Sequence, residues 1–102
     1  MDVSIIVPVY NESQSLKILH DKIVEAMRST GRNWEVIYVD DGSQDDSLAV
    51  LEEIAGQDQA HTRVLSFRRN FGQTTALSAG IDHAFGMAVS YTHLRAHETK
   101  AN

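Results

Sequence analysis

The sequence has no cysteine, which excludes disulfides and thiolate metal sites and leaves the compartment open. It has no surplus of positive charge: nine Lys and Arg stand against fourteen Asp and Glu, a formal charge of −5. Nucleic-acid binding through a basic surface is therefore disfavoured, and we expect no nucleic-acid partner. No apolar run approaches the ~20 residues that span a bilayer. Met1-Asp2 leads straight into a strand-like run, with no positively charged and then apolar leader. Several nucleotide and hydrolase motifs are missing too. There is no Gly-x-Gly-x-x-Gly after the first strand, no Gly-Lys-Ser/Thr phosphate loop and no Gly-x-Ser-x-Gly elbow. Phosphate chemistry would have to use carboxylates with a metal, or basic side chains. At 102 residues the chain suits one small domain. The expectation is a cytoplasmic, soluble α/β domain or part of one.

What is present is organised around Val36-Ile37-Tyr38-Val39-Asp40-Asp41-Gly42-Ser43. An apolar run of this kind reads as a strand buried on both faces, the usual state in a parallel sheet. Its polar end should emerge at the sheet's carboxyl edge, where open α/β folds bind ligands. Before it, Val3–Val9 is rich in β-branched residues and reads as the first strand. Pro8 cannot donate to a ladder and should lie near that strand's end or on an unpaired side. Tyr10-Asn11-Glu12 reads as a turn, with Ser13 as N-cap of a helix reaching about Thr30 and stopped by Gly31. Leu16, Leu19, Ile23 and Met27 form its buried stripe.

Trp34–Asp40 is the second strand. A helix follows with Leu48, Leu51 and Ala55 inward, Ile54 beside them, Asp45 and Asp46 near its first turn, and Gly56 at its end. Arg63–Phe67 is the third strand, and a third helix begins near Gln73 with Leu77, Gly80, Ile81 and Ala84 inward. Ala76, Ala79 and Gly80 are small enough to let it lie close to the sheet. The order β-α-β-α-β-α implies a parallel sheet with right-handed crossovers. Tyr10-Asn11-Glu12, Asp40-Asp41 and Arg68-Arg69-Asn70 then converge on one edge.

Those residues suit a nucleotide. Ionised Glu12, Asp40 and Asp41 accept hydrogen bonds only, and a strand-end carboxylate can take a base N–H or ribose hydroxyls. Tyr10 offers a flat face for a base. Gly42 permits a sharp turn and leaves clearance for a ligand. Arg68 and Arg69 could meet a diphosphate. Adjacent carboxylates point to opposite faces if strand geometry persists, so one of Asp40 and Asp41 should face the ligand. Blander readings stand beside these. Asp-Asp-Gly-Ser is also ordinary turn chemistry, the arginine pair can be a solvated surface, and His20, His61 and His83 read as structural or solvent-facing. A non-catalytic nucleotide-binding module is the alternative to an enzyme.

Taken together, Ile5-Ile6-Val7-Pro8-Val9-Tyr10-Asn11-Glu12, Val39-Asp40-Asp41-Gly42-Ser43 and Arg69-Asn70-Phe71-Gly72-Gln73 with Ala76–Asp82 resemble the family-2 glycosyltransferases of GT-A fold. The third block is most similar to the branch that transfers sugars to polyprenyl or dolichyl phosphate. The resemblance implies a truncated GT-A (Rossmann-like) domain binding a UDP- or GDP-linked sugar. In the intact protein it implies transfer with inversion to a polyprenyl-phosphate carrier at the cytoplasmic face of the membrane; a family-2 enzyme using a sugar hydroxyl is the alternative. Pro8, Tyr10 and Glu12 would line the base and ribose. Val39 and Asp41 would close the other side, with Asp41 accepting from the base, and Asp40 would support the turn. Arg69 and Asn70 would sit near the sugar-diphosphate. The family's fourth strand ends in Asp-x-Asp, which holds Mg2+ or Mn2+ on the diphosphate; no such motif occurs here, so no metal ligand or catalytic residue is assigned.

The stretch from Met87 departs from this pattern. Ala88-Val89-Ser90-Tyr91 starts like a strand, but residues 92–102 have no clear period and resemble translated adapter sequence. We therefore divide the chain at 1–86, the nucleotide-sugar-binding part, and 87–102, a non-native tail. His93 and His97 have the spacing of a metal pair on a helix, and in such a tail we read them as incidental.

Overall fold

A computed structural model describes residues 1–91. Its elements alternate as β1 (Val3–Val9), α1 (Leu16–Arg28), β2 (Trp34–Asp40), α2 (Ser47–Gln57), β3 (Thr62–Ser66), α3 (Gln73–His83) and β4 (Ala88–Tyr91). The strands lie in the order β3-β2-β1-β4, and all three pairings are parallel. The α/β alternation and the parallel sheet are those expected, with β4 added beside β1. Residues 92–102, including His93 and His97, lie outside the described residues.

The topology follows from handedness. From β1 to β3 the chain steps one way across the sheet, and from β3 to β4 it jumps back past two strands. Right-handed crossovers in opposite directions place their helices on opposite faces. Two cores result. On one face Leu16 and Ile23 of α1 and Leu51 and Ile54 of α2 pack on Val7, Val9, Val36 and Tyr38. On the other, Ala76 of α3 meets Ile6, Ile37 and Val39. Successive strand residues thus feed alternate faces, and β2, covered on both, is buried at all seven positions.

Several local expectations shift. α1 starts at Leu16, with Ser15 and not Ser13 in the N-cap position; the Ser13 amide donates to Asp45 Oδ2 (3.4 Å). The inward residues of α2 are Ser47, Leu51 and Ile54; Leu48 and Ala55 lie at the rim, half-buried. Gly56 lies within α2 rather than ending it. The third strand begins and ends one residue earlier than predicted. In α3 the fully covered positions are Ala76 and Gly80, while Ile81 is half exposed. A Cβ at Gly80 would lie 2.4 Å from Ile6 Cγ2, so small residues do set this approach. Pro8 is the penultimate residue of β1. Val9 turns its carbonyl to β2, where it accepts from the Asp41 amide; the alternation puts Pro8 on the other edge, past the last described β4 pair, Ile6 with Tyr91.

Two buried polar clusters brace the sheet away from its carboxyl edge. Glu35 accepts from Ser4 Oγ (2.5 Å), the Phe85 amide (2.7 Å) and Arg63 Nε and Nη2 (3.0 and 2.7 Å). Arg63 also donates to the His83 carbonyl and lies over the Phe85 ring. Burial alone would raise the Glu35 pKa, but these hydrogen bonds and the Arg63 charge hold it below its ordinary value. The second cluster joins α1, β2 and the end of α2. Asp58 can only accept, so His20 Nε2–H donates to Asp58 Oδ2 (3.0 Å) and Tyr38 O–H donates to His20 Nδ1 (2.7 Å). His61 donates to the other Asp58 oxygen (3.0 Å) and stacks on Trp34. The reading of His20 as structural holds, although its partners were invisible in the sequence.

Candidate functional site at the carboxyl edge

The ends of β1, β2 and β3 open on one edge, and three loops leave it. The first two are laced together. Asn11 lies in the left-handed region (φ +53), a conformation asparagine tolerates better than most residues. Its amide donates to Ser43 Oγ (2.9 Å), and its Oδ1 accepts from the Gln44 amide (2.8 Å). The Glu12 amide donates to Ser47 Oγ (2.9 Å). Asp45 accepts from the amides of Ser47 and Ser13. Burial would raise its pKa, but the Ser47 and Ser13 bonds outweigh that and lower it. Between the two loops lies a polar cleft of about 240 Å³, lined by Asn11, Glu12, Ser13, Gln14, Ser15 and Asp45.

The second and third loops meet at Asp41. Its Oδ1 accepts from the Phe71 amide (2.8 Å), and its Oδ2 accepts from the Gly72 amide (3.0 Å) and Asn70 Nδ2 (3.0 Å). Asn70 Nδ2 also reaches the Asp41 carbonyl (3.2 Å). Gly42 passes beneath this loop with φ +73; a Cβ there would lie 2.2 Å from the Arg69 carbonyl carbon and 2.5 Å from the Asn70 nitrogen. The clearance expected for a ligand at Gly42 is thus occupied by backbone of the β3–α3 loop. The Arg69 guanidinium lies 4.8 Å above the Phe71 ring, which packs edge-on against Phe67.

The two adjacent carboxylates are unequal. Both are 2% exposed. Asp41 accepts three hydrogen bonds from the loop, whereas Asp40 Oδ1 is buried without a partner. Burial pushes the Asp40 pKa up; bonds from Ser43 oppose this, and the charges of Asp45 and Asp41 add to it.

Of the other predicted site residues, Tyr10 and Glu12 are half-buried at the rim, and Arg69 and Asn70 are exposed. Pro8 and Val39 are register neighbours at the strand ends and are both buried, Val39 within the core beneath α3. Asn11 and Ser47, which shape the edge through backbone contacts, had not been singled out. An asparagine between a strand and a helix was the available signal for the first. Among the described residues no group of three His, Asp or Glu side chains could hold a metal ion. The residues present do not fit the divalent cation expected of an intact enzyme.

The comparison with protein families is decisive here: the model for glycosyl transferase family 2 matches residues 4–92. The chain belongs to glycosyl transferase family 2. Curated relatives include an undecaprenyl-phosphate 4-deoxy-4-formamido-L-arabinose transferase of Pectobacterium carotovorum, 42% identical over 88 residues, 86% of this chain and 27% of that protein. A dodecaprenyl-phosphate galacturonate synthase of Rhizobium johnstonii is 40% identical over 90 residues, 88% of this chain and 27% of the relative. A solved mannosyltransferase of Pyrobaculum calidifontis, in complex with GDP-Man and Mn2+, superposes with a TM-score of 0.76 at 26% identity, over 98% of this chain and 30% of its own. The chain thus spans about a quarter of the length of these curated relatives. Among the described residues of this family-2 chain, no helix is long and apolar enough to cross a membrane.

Proposed function

We propose that this chain supplies the nucleotide-binding half of a transferase that moves a sugar from a nucleoside diphosphate to a polyprenyl phosphate. The observation that carries the reading is the convergence at one sheet edge of Tyr10 and Glu12, Asp40 and Asp41, and Arg69 and Asn70. The activities for which the prenyl-phosphate transferases resembling this chain at 40–42% identity are named support the lipid acceptor. In this reading the nucleoside lies over the ends of β1 and β2, between Pro8, Tyr10 and Glu12 on one side and Val39 and Asp41 on the other. Arg69 and Asn70 stand on the diphosphate side. A guanidinium aimed at the departing diphosphate stabilises charge that grows in the transition state.

The acceptor choice has a chemical consequence. A phosphate oxygen is already ionised near neutral pH, so it needs orientation more than a strong general base. Its direct attack at the anomeric carbon gives inversion. A lipid acceptor places the reaction at a membrane surface, and a nucleotide-sugar donor places it on the cytoplasmic side. In the solved mannosyltransferase a Mn2+ accompanies the GDP-sugar. For this protein a Mg2+ or Mn2+ site would have to involve residues beyond those described, and no step is derived through it.

The test has two arms. The 102-residue chain is titrated with UDP and GDP; saturable binding of either supports the nucleotide half, and binding of neither refutes it. The gene product read from source DNA past the Gly86 codon is then given a labelled nucleotide sugar. Label entering the organic phase only with undecaprenyl phosphate supports the acceptor. Transfer to a soluble sugar hydroxyl instead overturns it.

A further inference from the structure

We propose that Glu35 is a positioning residue that sets the register of β4 on β1, and so decides which side chains of that strand face each side as it reaches the edge of the candidate site. This role goes beyond the nucleotide reading above and does not depend on it. β4 has little means of fixing its own register. Among the described residues it pairs with β1 alone, and Ala88, Val89 and Ser90 are all exposed. A strand without a buried face is prone to slip, and a slip of one residue exchanges its two faces. The pairing is nevertheless definite, with Val3 opposite Ala88 and Ile5 opposite Ser90.

What holds β4 lies at the corner before it, at the other end of the sheet from the site. Glu35 is 3% exposed. Its Oε2 accepts from the Phe85 amide (2.7 Å) and from Ser4 Oγ (2.5 Å), and Ser4 Oγ accepts in turn from the Gly86 amide (2.8 Å). One carboxylate oxygen thus fixes two consecutive main-chain amides just ahead of β4, the first directly and the second through a serine of β1. The other oxygen takes Arg63, which also donates to the His83 carbonyl and covers the Phe85 ring. The corner is closely seated: a Cβ at Gly86 would lie 2.5 Å from the Ser4 nitrogen and 2.6 Å from its Oγ. Ser4 has a fixed place in the β1–β2 ladder, so tying Gly86 to it sets where β4 begins along β1. These bonds act on backbone, and they act whatever side chains β4 carries. Parallel pairing then delivers β4 to the edge where β1, β2 and β3 end.

The chain has no cysteine, so engineered pairs report register directly. Ile5→Cys is combined in turn with Ser90→Cys, Val89→Cys and Ala88→Cys, and disulfide yield is measured at equilibrium with a glutathione couple. Opposed residues on neighbouring strands lie about 4.8 Å apart and residues two places off about 8 Å, while the residue one place off points to the other face. A disulfide needs Cα atoms within about 7 Å and Cβ atoms turned together. With Glu35 in place only the Ser90→Cys pair should bridge. In Glu35→Gln a single acceptor oxygen remains for both sets of partners, and in Ser4→Ala the Gly86 amide loses its acceptor. In each we expect the ratio of off-register to in-register disulfide to rise about tenfold, the size of one hydrogen bond to a charged group. Gly86→Ala, which lifts the corner off β1, should do the same. Tyr38→Phe, which loosens the other buried cluster, should leave the ratio unchanged. An unchanged ratio in Glu35→Gln and Ser4→Ala overturns the proposal. So does a loss of the in-register disulfide with no off-register gain, which is general loosening. If Trp34 fluorescence shows that Glu35→Gln does not fold, Ser4→Ala decides alone: a ratio equal to wild type overturns the role. The yields are read without ligand, so their outcome is separate from UDP or GDP binding.

Discussion

Replacing Gly42 with alanine tests the loop packing at the candidate site. The substitution carries two separable costs. The backbone at Gly42 has φ +73, a left-handed conformation that costs an L-residue about 1–2 kcal/mol. The new Cβ would also lie 2.2, 2.5 and 2.7 Å from Arg69 and Asn70 backbone atoms. Backbone cannot rotate away as a side-chain end can, so the loop must shift, at about 1–3 kcal/mol typical of overpacking. The sum is roughly 2–5 kcal/mol, much of the stability of a small domain. At roughly 4–8 °C per kcal/mol it lowers Tm by about 8–40 °C.

Gly31 provides the control. It has φ +67 but nothing within 4 Å of its hypothetical Cβ, so Gly31→Ala carries the conformational cost alone, about 1–2 kcal/mol. Gly56 has neither feature. It sits inside α2, so Gly56→Ala should stabilise by about 0.5–1 kcal/mol. The single tryptophan, Trp34, is buried at the start of β2 and reports unfolding by fluorescence in urea or on heating. The predicted order of stability is Gly56→Ala, wild type, Gly31→Ala, Gly42→Ala. If Gly42→Ala costs no more than Gly31→Ala, the loop does not rest on β2 and the packing argument fails.

Glu35→Gln should destabilise by about 3 kcal/mol near pH 7, the low end for a broken buried pair, because Arg63 keeps partial access to water. Since the folded pKa of Glu35 is lowered, the wild-type advantage is complete above the ordinary glutamate value of about 4.3 and is lost as pH falls through the folded one. Denaturant titrations at several pH values should show the two proteins converging in acid; a constant gap would contradict this. Asp40 has the opposite sign. Its folded pKa is raised, so its buried charge weakens the fold at neutral pH and ceases to do so below the ordinary aspartate value of about 3.9. Asp40→Asn should therefore raise the urea midpoint at pH 7, with the gain shrinking toward pH 4; a loss at pH 7 would show that the Ser43 bonds outweigh desolvation. Tyr38→Phe removes the hydroxyl that His20 Nδ1 accepts from, and should cost about 1–3 kcal/mol by leaving a buried acceptor unpaired. An unchanged unfolding midpoint would refute that pairing.

Much of the architecture was legible in the sequence because it rests on short-range pattern. The bounds of the buried strand β2 were read to the residue, because its centre, Val36-Ile37-Tyr38-Val39, is covered on both faces and is continuously apolar. The parallel sheet followed from alternating strands and helices, and the shared edge followed from the parallel sheet. Helix starts were read less well. Ser13 and Ser15 both have the composition of an N-cap, and the helix begins after Ser15, while Ser13 belongs to the loop tied to Asp45, 32 residues away. The inward face of α2 was misplaced by one position because two apolar stripes compete there, and only the strand beneath decides between them.

At the site, the sequence by itself determined which residue types reach the carboxyl edge: Tyr10, Glu12, Asp40, Asp41, Arg69 and Asn70. Strand endings are local, and parallel topology gathers them. Only the tertiary structure decided what each carboxylate does there. Asp40 and Asp41 are chemically identical and adjacent, and differ through their partners: Asp41 faces the amides of a loop about 30 residues downstream, while one oxygen of Asp40 is buried with none. The same holds for Glu35, whose ordinary-looking place near the start of β2 conceals partners from three other segments. Periodicity records burial because burial repeats along an element. A hydrogen bond between distant loops leaves no period, so its meaning exists only once the chain has folded.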